Sequence, residues 1–471
     1  MPTLAIVVLA AGRSTRMRSR RSKLLHPLAG RPLAAYPLRL AEALEPAHLI
    51  VVLGHLAEEI QDALGPNYTY VIQEPQLGTG HALQQAQPLL EGRCDEVLVL
   101  YGDTPLLRPE TIQDMLRQHR RAGGTVTLLS GVVDEPGGYG RVVRDATGRV
   151  QAVVEEAEAT PAQRAIAEIN SGILLFQAGW LWQHLSHIPS SPKGEYYLTE
   201  LVGTAVAGGA TVLAHPAADP DEILGINNRI QLARAGAVLH RRIADRLMLC
   251  GVTILDPATT YIDDSVEVGR DTVIRPNSHL CGDTHVGEEC DIGPNSLLVD
   301  TTVGRRCRVL ASVLESATLE DDVGIGPFGH LRKGAYLCQG VHMGNFGEVK
   351  DSRLGPGVKM GHFSYVGDAE IGAESNIGAG TITCNFDTQG RKNRTTIGKR
   401  VYIGSDTMLV APVELGDEAV TGAGAVVTRD VPPRAVAYGV PARVRGTVER
   451  PEEEGDEGQQ EMMEERRGNE E

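Results

Sequence analysis

The first half of the chain alternates continuously apolar runs with amphipathic stretches. Leu4-Ala5-Ile6-Val7-Val8-Leu9 contains no polar residue, as a strand covered on both faces requires. His48 to Leu53 and Glu96 to Tyr101 follow the same pattern, and helical spacing fills Pro32 to Leu44 and His81 to Leu90. Strands alternating with helices predict an α/β, doubly wound (Rossmann-like) parallel sheet over residues 1–227. Ligands of such sheets lie at the carboxyl ends of the strands, which directs attention to the loops after Leu9 and Tyr101.

From Asn228 the pattern turns helical, with Ile230, Leu232, Leu239, Ile243 and Leu247 and no proline, and predicts a linker helix over 228–250. After Gly251 the period becomes six. Aliphatic anchors recur at Leu319, Ile325, Leu331, Leu337, Met343 and Val349, then at Leu354, Met360 and Val366. A third series runs Ile397, Ile403, Leu409, Leu415, Thr421, Val427, and glycine follows several anchors, as in Ile403-Gly404. This hexapeptide grammar predicts a left-handed parallel β-helix over 251–445, about 18 residues to the coil. Cys384 to Thr396 breaks the register, and an insertion at a coil corner is a usual place for function.

Length changes this picture little, since 471 residues already imply more than one core. Charge changes it more. A net charge of −16 argues against general nucleic-acid binding. Residues 449–471 alone hold 11 acids against 3 Arg, without an aromatic, so a disordered acidic tail is expected over 446–471. The seven cysteines form no C-x-x-C pair and are expected to be buried, reduced thiols rather than zinc ligands or a disulfide framework. The chain opens on no signal-like segment and has no apolar run long enough to span a bilayer; a cytoplasmic protein without membrane contact is expected.

Two loops carry candidate chemistry in the first half. Leu9-Ala10-Ala11-Gly12-Arg13-Ser14-Thr15-Arg16-Met17 follows the first strand, and six basic side chains lie between Arg13 and Lys23. Alone this is a solvated basic loop, but its place after a buried strand, beside a glycine turn, suits a triphosphate. Tyr101-Gly102-Asp103 ends another strand, where a carboxylate can serve Mg²⁺, a hard cation that takes oxygen ligands. In the second half, His362 follows the anchor Met360. Imidazole ordinarily titrates near neutrality, so it could take a proton from an amine attacking a thioester. Asp263, Asp264, Asp271 and Glu288-Glu289 are solvated corners on this reading, and His26 and His81 are structural.

The stretch Leu9 to Met17 resembles the Leu-x-x-Gly-x-Gly-Thr-Arg-Met signature of sugar-phosphate nucleotidyltransferases. Gln73, Gln76 to Ala82, Tyr101-Gly102-Asp103, Gly138 to Arg141, Glu155, Glu168 to Gly172 and Gly225 to Arg229 resemble further blocks of its uridylyltransferase branch. Arg332, Asn345 to Lys350, His362, Tyr365, Gly367 to Glu370, Asn376, Gly378 to Gly380 and Thr383 to Asn385 resemble an acetyltransferase half. Together they resemble, over nearly the whole chain, the bifunctional N-acetylglucosamine-1-phosphate uridylyltransferase/glucosamine-1-phosphate acetyltransferase family. That resemblance implies acetyl transfer from acetyl-CoA to glucosamine 1-phosphate, then Mg²⁺-dependent uridylyl transfer from UTP, giving UDP-N-acetylglucosamine and pyrophosphate.

It also implies roles. Leu9, Ala10, Ala11 and Gly12 with Gln73, Gly78 and Thr79 would hold uracil, beside Tyr101 and Gly102. Arg16 and Lys23 would stabilise the triphosphate, Gly140, Glu155 and Asn170 would bind the sugar, and Asp103 and Asn227 would ligate Mg²⁺. His362 would be the general base, with Arg332, Lys350, Tyr365 and Asn376 gripping the acceptor sugar. Ala379, Asn385, Phe386, Ser405, Ala423 and the Val440 position would serve acetyl-CoA, and the β-helix would pack as a homotrimer.

Three positions depart from the family pattern. Ser14 replaces the second glycine of the signature and fits there if its φ is negative. Phe386 stands for a tyrosine, and Val440 falls by spacing where the family has a CoA-contacting arginine, which Arg443 or Arg445 could replace. Two other readings are a single-activity nucleotidyltransferase with a structural β-helix and a non-catalytic scaffold. The first leaves His362, Lys350, Tyr365 and Asn376 without purpose, and the second leaves Arg16, Lys23, Asp103 and Asn227 so.

Overall fold

The computed structural model describes residues 2–192 and 194–448. Most of the expected acidic tail therefore lies outside the described residues. Contacts divide the chain into two compact units between Arg242 and Ile243, inside a helix Arg229–Leu249.

In the first unit the main sheet runs Val212–Pro216, Val126–Val132, Glu168–Gln177, Glu96–Tyr101, Leu4–Ala10, His48–Leu53, Thr69–Ile72. Leu4–Ala10 pairs in parallel with both neighbours, and every one of its residues is buried. That is why this strand could afford no polar residue. Glu168–Gln177 alone runs antiparallel to its neighbours in that order. Parallel neighbours need a crossover, usually a helix. Here the chain after Val132 makes the hairpin Gly140–Arg144 and Val150–Val154 instead, so the next strand returns antiparallel. His81 to Leu90 forms two short helices, Thr79–Gln84 and Gln87–Leu90, where the sequence pattern suggested one. Pro88 sits in the first turn of the second, a position its ring tolerates, whereas one continuous helix would have placed it inside.

The second unit is the left-handed parallel β-helix, whose described residues form three sheets of 12, 10 and 9 short strands, all parallel but the last of the 12. Each strand pairs with one a coil away, for instance His279–Cys281 with Leu297–Val299 and then Val313–Glu315. All the six-residue anchors named above are buried, Leu331, Met343 and Leu409 completely. At about 1.5–3 kcal/mol for each fully buried aliphatic side chain, this column is the main source of the unit's stability. The insertion after Cys384 lengthens one coil, so that Ala369 pairs with Thr395, and a bridge between Phe386 and Lys392 closes it. A last strand, Arg443–Thr447, folds back antiparallel on Ala435–Tyr438. The cysteine expectation holds for Cys290, Cys307 and Cys338, which are buried, but Cys250 is exposed at the end of the helix. No described helix is long and apolar enough to cross a membrane.

Candidate functional sites

A cavity of about 740 Å³ opens at the carboxyl ends of the first unit's strands. Leu9, Ala10, Ala11, Gly12, Arg16, Lys23, Gln73, Gly78, Thr79, Tyr101 and Asp103 all line it. Backbone bonds gather these loops. The Gly102 amide donates to the Leu9 carbonyl (3.0 Å), tying the ends of adjacent strands together. The Ile226 amide donates to the Asp103 carbonyl (2.9 Å) and so brings in Asn227. Gln73 donates to the Gly78 carbonyl (2.9 Å), and His81 Nδ1 lies 3.2 Å from the same Gln73 amide. His81 thus braces a cavity residue, a more specific task than the structural role expected of it.

Tyr101 fits because Gly172 has no side chain. A Cβ there would stand 2.8 Å from the tyrosine ring, and the backbone has φ of 86°. Gly172 also sits in the register irregularity between Asn170 and Leu174, where strand Glu168–Gln177 leaves the regular ladder. Burial pushes the Tyr101 hydroxyl's pKa up, so it stays a neutral donor. Asn170 pairs with Gly140, and its buried Oδ1 has no hydrogen-bond partner. Nearby, Thr199 donates to the Glu155 carboxylate (2.9 Å), whose pKa burial raises above the ordinary value.

Cations converge at the other end. Lys23 forms an ion pair with Asp103, and donates to Asn227 Oδ1 at 3.2 Å. Arg16 donates to that same oxygen at 2.8 Å. Asp103 and Asn227 offer hard oxygen donors, which fit Mg²⁺. Mg²⁺ takes six oxygen ligands, and beyond these two side chains substrate phosphates and water would supply them.

Ser14 corrects an expectation. Its φ is 56°, in the left-handed region, and not negative. The loop must reverse before the short turn Thr15–Met17, and this costs a non-glycine residue about 1–2 kcal/mol. In return the serine hydroxyl lies 3.4 Å from the Gly12 carbonyl and accepts from the Lys23 amide at 3.4 Å, bridging the two arms of the basic loop. Glu195 and Tyr197 also line the cavity and were not anticipated. They arrive on a segment that meets Leu77 and Gly80 through the Tyr196 backbone, a long-range contact without periodic signal.

On the β-helix, four expected residues form one column. Lys359 pairs with Asn376, Asn376 with Tyr402, and Tyr402 with Val420. His362, Ala379, Ser405 and Ala423 each lie three residues later, at the same corner of successive coils. His362, Ser405 and Ala423 are exposed along it. The strand Ala435–Tyr438 ends just before the exposed Val440, and Arg443 pairs with Tyr438, whereas Arg445 lies further along. Phe386 is exposed on the inserted loop.

The strand after that corner carries Tyr365, which pairs with Glu348 in the coil before. Arg332 donates to Glu348 (2.9 Å), and Asn385 donates to Asp368 and, at 3.4 Å, to the Tyr365 hydroxyl. Lys392 joins this group from the insertion, with Asp351 at 3.6 Å and Asp368 at 3.9 Å. Its ammonium beside Lys350 pushes the Lys350 pKa down, and Arg332 adds to the effect. Three cations, Arg332, Lys350 and Lys392, thus share one edge of the coil. Sequence reasoning named the first two; the broken register at Cys384 to Thr396 was the available hint of the third.

Residues 6–171 match the MobA-like NTP transferase domain, and residues 265–299 and 394–429 match the bacterial transferase hexapeptide (six repeats). The bifunctional protein GlmU of Pelobacter propionicus is 46% identical over 93% of this chain and 96% of its own length. That of Trichlorobacter lovleyi is 45% identical over 95% and 98%, and that of Alkalilimnicola ehrlichii 48% over 92% and 93%. With both halves matched in order, at this identity and nearly end to end, the chain belongs to the GlmU family of bifunctional proteins.

Proposed function

We propose that the protein acetylates glucosamine 1-phosphate on its β-helix and couples the product to UTP in its α/β unit, releasing pyrophosphate and UDP-N-acetylglucosamine. One observation carries this reading: a single chain holds a cation-lined cavity at strand ends and, on a separate unit, a corner column headed by His362. We assign residues 1–227 to uridylyl transfer, 228–250 to the link and 251–445 to acetyl transfer. Supplying glucosamine 1-phosphate, acetyl-CoA, UTP and Mg²⁺ while following free thiol and pyrophosphate separately tests it. Both signals are expected, with pyrophosphate dependent on prior thiol release; a single signal contradicts the bifunctional assignment.

In the first site Leu9 to Gly12, Gln73, Gly78 and Thr79 would seat the uracil, and Arg16 and Lys23 would neutralise charge as the sugar phosphate oxygen attacks the α-phosphorus. Asp103 and Asn227 would hold Mg²⁺, which supplies charge neutralisation on the phosphates. The partnerless Asn170 oxygen suits the sugar's N-acetyl N–H, and Glu155 its hydroxyls. Glu155 yields a pH test. Its folded pKa is raised, so its stabilising contribution is present at low pH and is lost as pH rises through the raised value. Glu155→Gln keeps an acceptor for Thr199 and removes the half-buried charge. Thermal melts should show a higher midpoint than wild type near neutral pH, and a smaller fall on leaving the acid range, while KM for N-acetylglucosamine 1-phosphate rises. Parallel melting curves across that range would contradict the assignment of a half-buried carboxylate.

In the second site His362 would take the amine proton, while Arg332, Lys350 and Lys392 would hold the phosphate and Tyr365, Asn376 and Asn385 the sugar and thioester. The acetyl-CoA groove would follow Ala379, Ser405 and Ala423. We further propose a homotrimer with each acetyl site completed by a second copy, a closed C₃ arrangement. Phe328, Phe346 and Phe363 support it: they are exposed at one corner of successive coils, beside His362, and the first two rings stack 5.2 Å apart. Light scattering should give three times the chain mass; a fully acetylating monomer would contradict it. Seven unpaired thiols support a cytoplasmic location.

A further inference from the structure

We infer that Lys23 acts as an internal cation on the enzyme's own metal ligands, so that a divalent ion enters the uridylyl site only when nucleotide phosphates draw Lys23 away. The inference rests on the proposed role of Asp103 and Asn227. Lys23 Nζ is ion-paired with Asp103 Oδ2 and donates to Asn227 Oδ1 at 3.2 Å. Arg16 Nη2 donates to the same Asn227 oxygen at 2.8 Å. One Asp103 oxygen and the Asn227 oxygen are therefore already engaged by positive charge. The lysine and aspartate side chains are only 13% and 18% exposed, so water screens the pair weakly.

A divalent ion placed beside this ammonium would be repelled far more strongly than it would be in water. It would also find only the two proposed ligand side chains, whereas Mg²⁺ takes six ligands in all. A nucleotide triphosphate resolves both difficulties. Its oxygens complete the coordination, and its negative charge competes with Asp103 for Lys23 and with Asn227 for Arg16. Nucleotide and metal should accordingly bind with positive coupling, which is reciprocal by thermodynamic necessity. Lys23 then has two partners in turn: the metal ligands in the free enzyme, and the phosphates in the loaded one. The Lys23 amide's contact with the Ser14 hydroxyl keeps its backbone fixed while the side chain changes partner.

Mn²⁺ as a paramagnetic probe, counted as free ion by electron paramagnetic resonance, tests this on the full-length protein. Without nucleotide, wild type and Lys23→Arg should bind Mn²⁺ weakly, and Lys23→Met at least tenfold more tightly. The gain should vanish when Asp103→Ala is added. With α,β-methylene-UTP the wild type should tighten at least tenfold, and Lys23→Met by a smaller factor. Lys23→Gln serves if the methionine variant melts early. Equal Mn²⁺ affinity of wild type and the neutral variants without nucleotide overturns the inference. So does a wild-type affinity unchanged by the analogue, which needs no variant. Failure of every protein to bind Mn²⁺ even with the analogue removes the metal role of Asp103 and Asn227, and the inference with it.

Discussion

Asp103→Ala should lower pyrophosphate release by on the order of a thousandfold while thiol release from acetyl-CoA stays near the wild-type rate. The size follows from what the carboxylate touches. Asp103 is the one charged oxygen ligand proposed for Mg²⁺, and it also ion-pairs with Lys23, so its loss would disturb two of the groups proposed to offset charge on the transferring phosphoryl. Removing a single such donor costs about 10²–10³ in rate. Asp103 is hydrogen-bonded to Ile226 through its backbone, which alanine retains, so the Gly225 to Asn227 segment should keep its place. Steady-state assays of each half reaction check both numbers. An equal loss of thiol release would mean that the two activities share a site.

His362→Ala should lower acetyl transfer by roughly a hundredfold or more, the usual range for a general base, and leave uridylyl transfer from N-acetylglucosamine 1-phosphate untouched. His362 is exposed at its corner, so the substitution opens no cavity and the melting temperature should hold. The other groups near it are poorly suited to the task. Lys350 and Lys392 lie among Asp351, Asp368 and each other, where a phosphate is the natural partner. The wild-type acetyl rate should rise with pH through the imidazole range, and the alanine variant should lack that step. A near-normal rate with an unchanged profile would take His362 out of the mechanism.

Much of this is legible in the sequence. The six-residue anchors from Leu319 to Val427 are buried because each coil repeats one inward position, and a fixed period is the strongest signal a sequence can carry. Leu9, Tyr101 and Asp103 meet because adjacent parallel strands must end on one edge. What the sequence hid lies in single residues and long-range contacts. Ser14 takes a positive φ because the loop must turn back toward Lys23, and nothing in the word Arg-Ser-Thr says so. Lys392 is one lysine on an irregular loop, and only the fold sets it beside Lys350. Glu195 and Tyr197 reach the first cavity through a backbone pairing of Tyr196 with Leu77. The break at Pro88 is itself written in the sequence, since proline inside a helical stretch marks a helix start.

If one chain carries two independent transfer sites joined by a product that leaves one and enters the other, a defect in either site can be made good by a second molecule. Mixing the two impaired variants tests this most directly. Asp103→Ala and His362→Ala, each of which alone turns glucosamine 1-phosphate, acetyl-CoA and UTP with Mg²⁺ into UDP-N-acetylglucosamine only at its reduced rate, should together do so much faster, after a lag in which N-acetylglucosamine 1-phosphate accumulates. A mixture that releases thiol but forms UDP-N-acetylglucosamine no faster than either variant alone, with both variants folded by thermal melt, would contradict it.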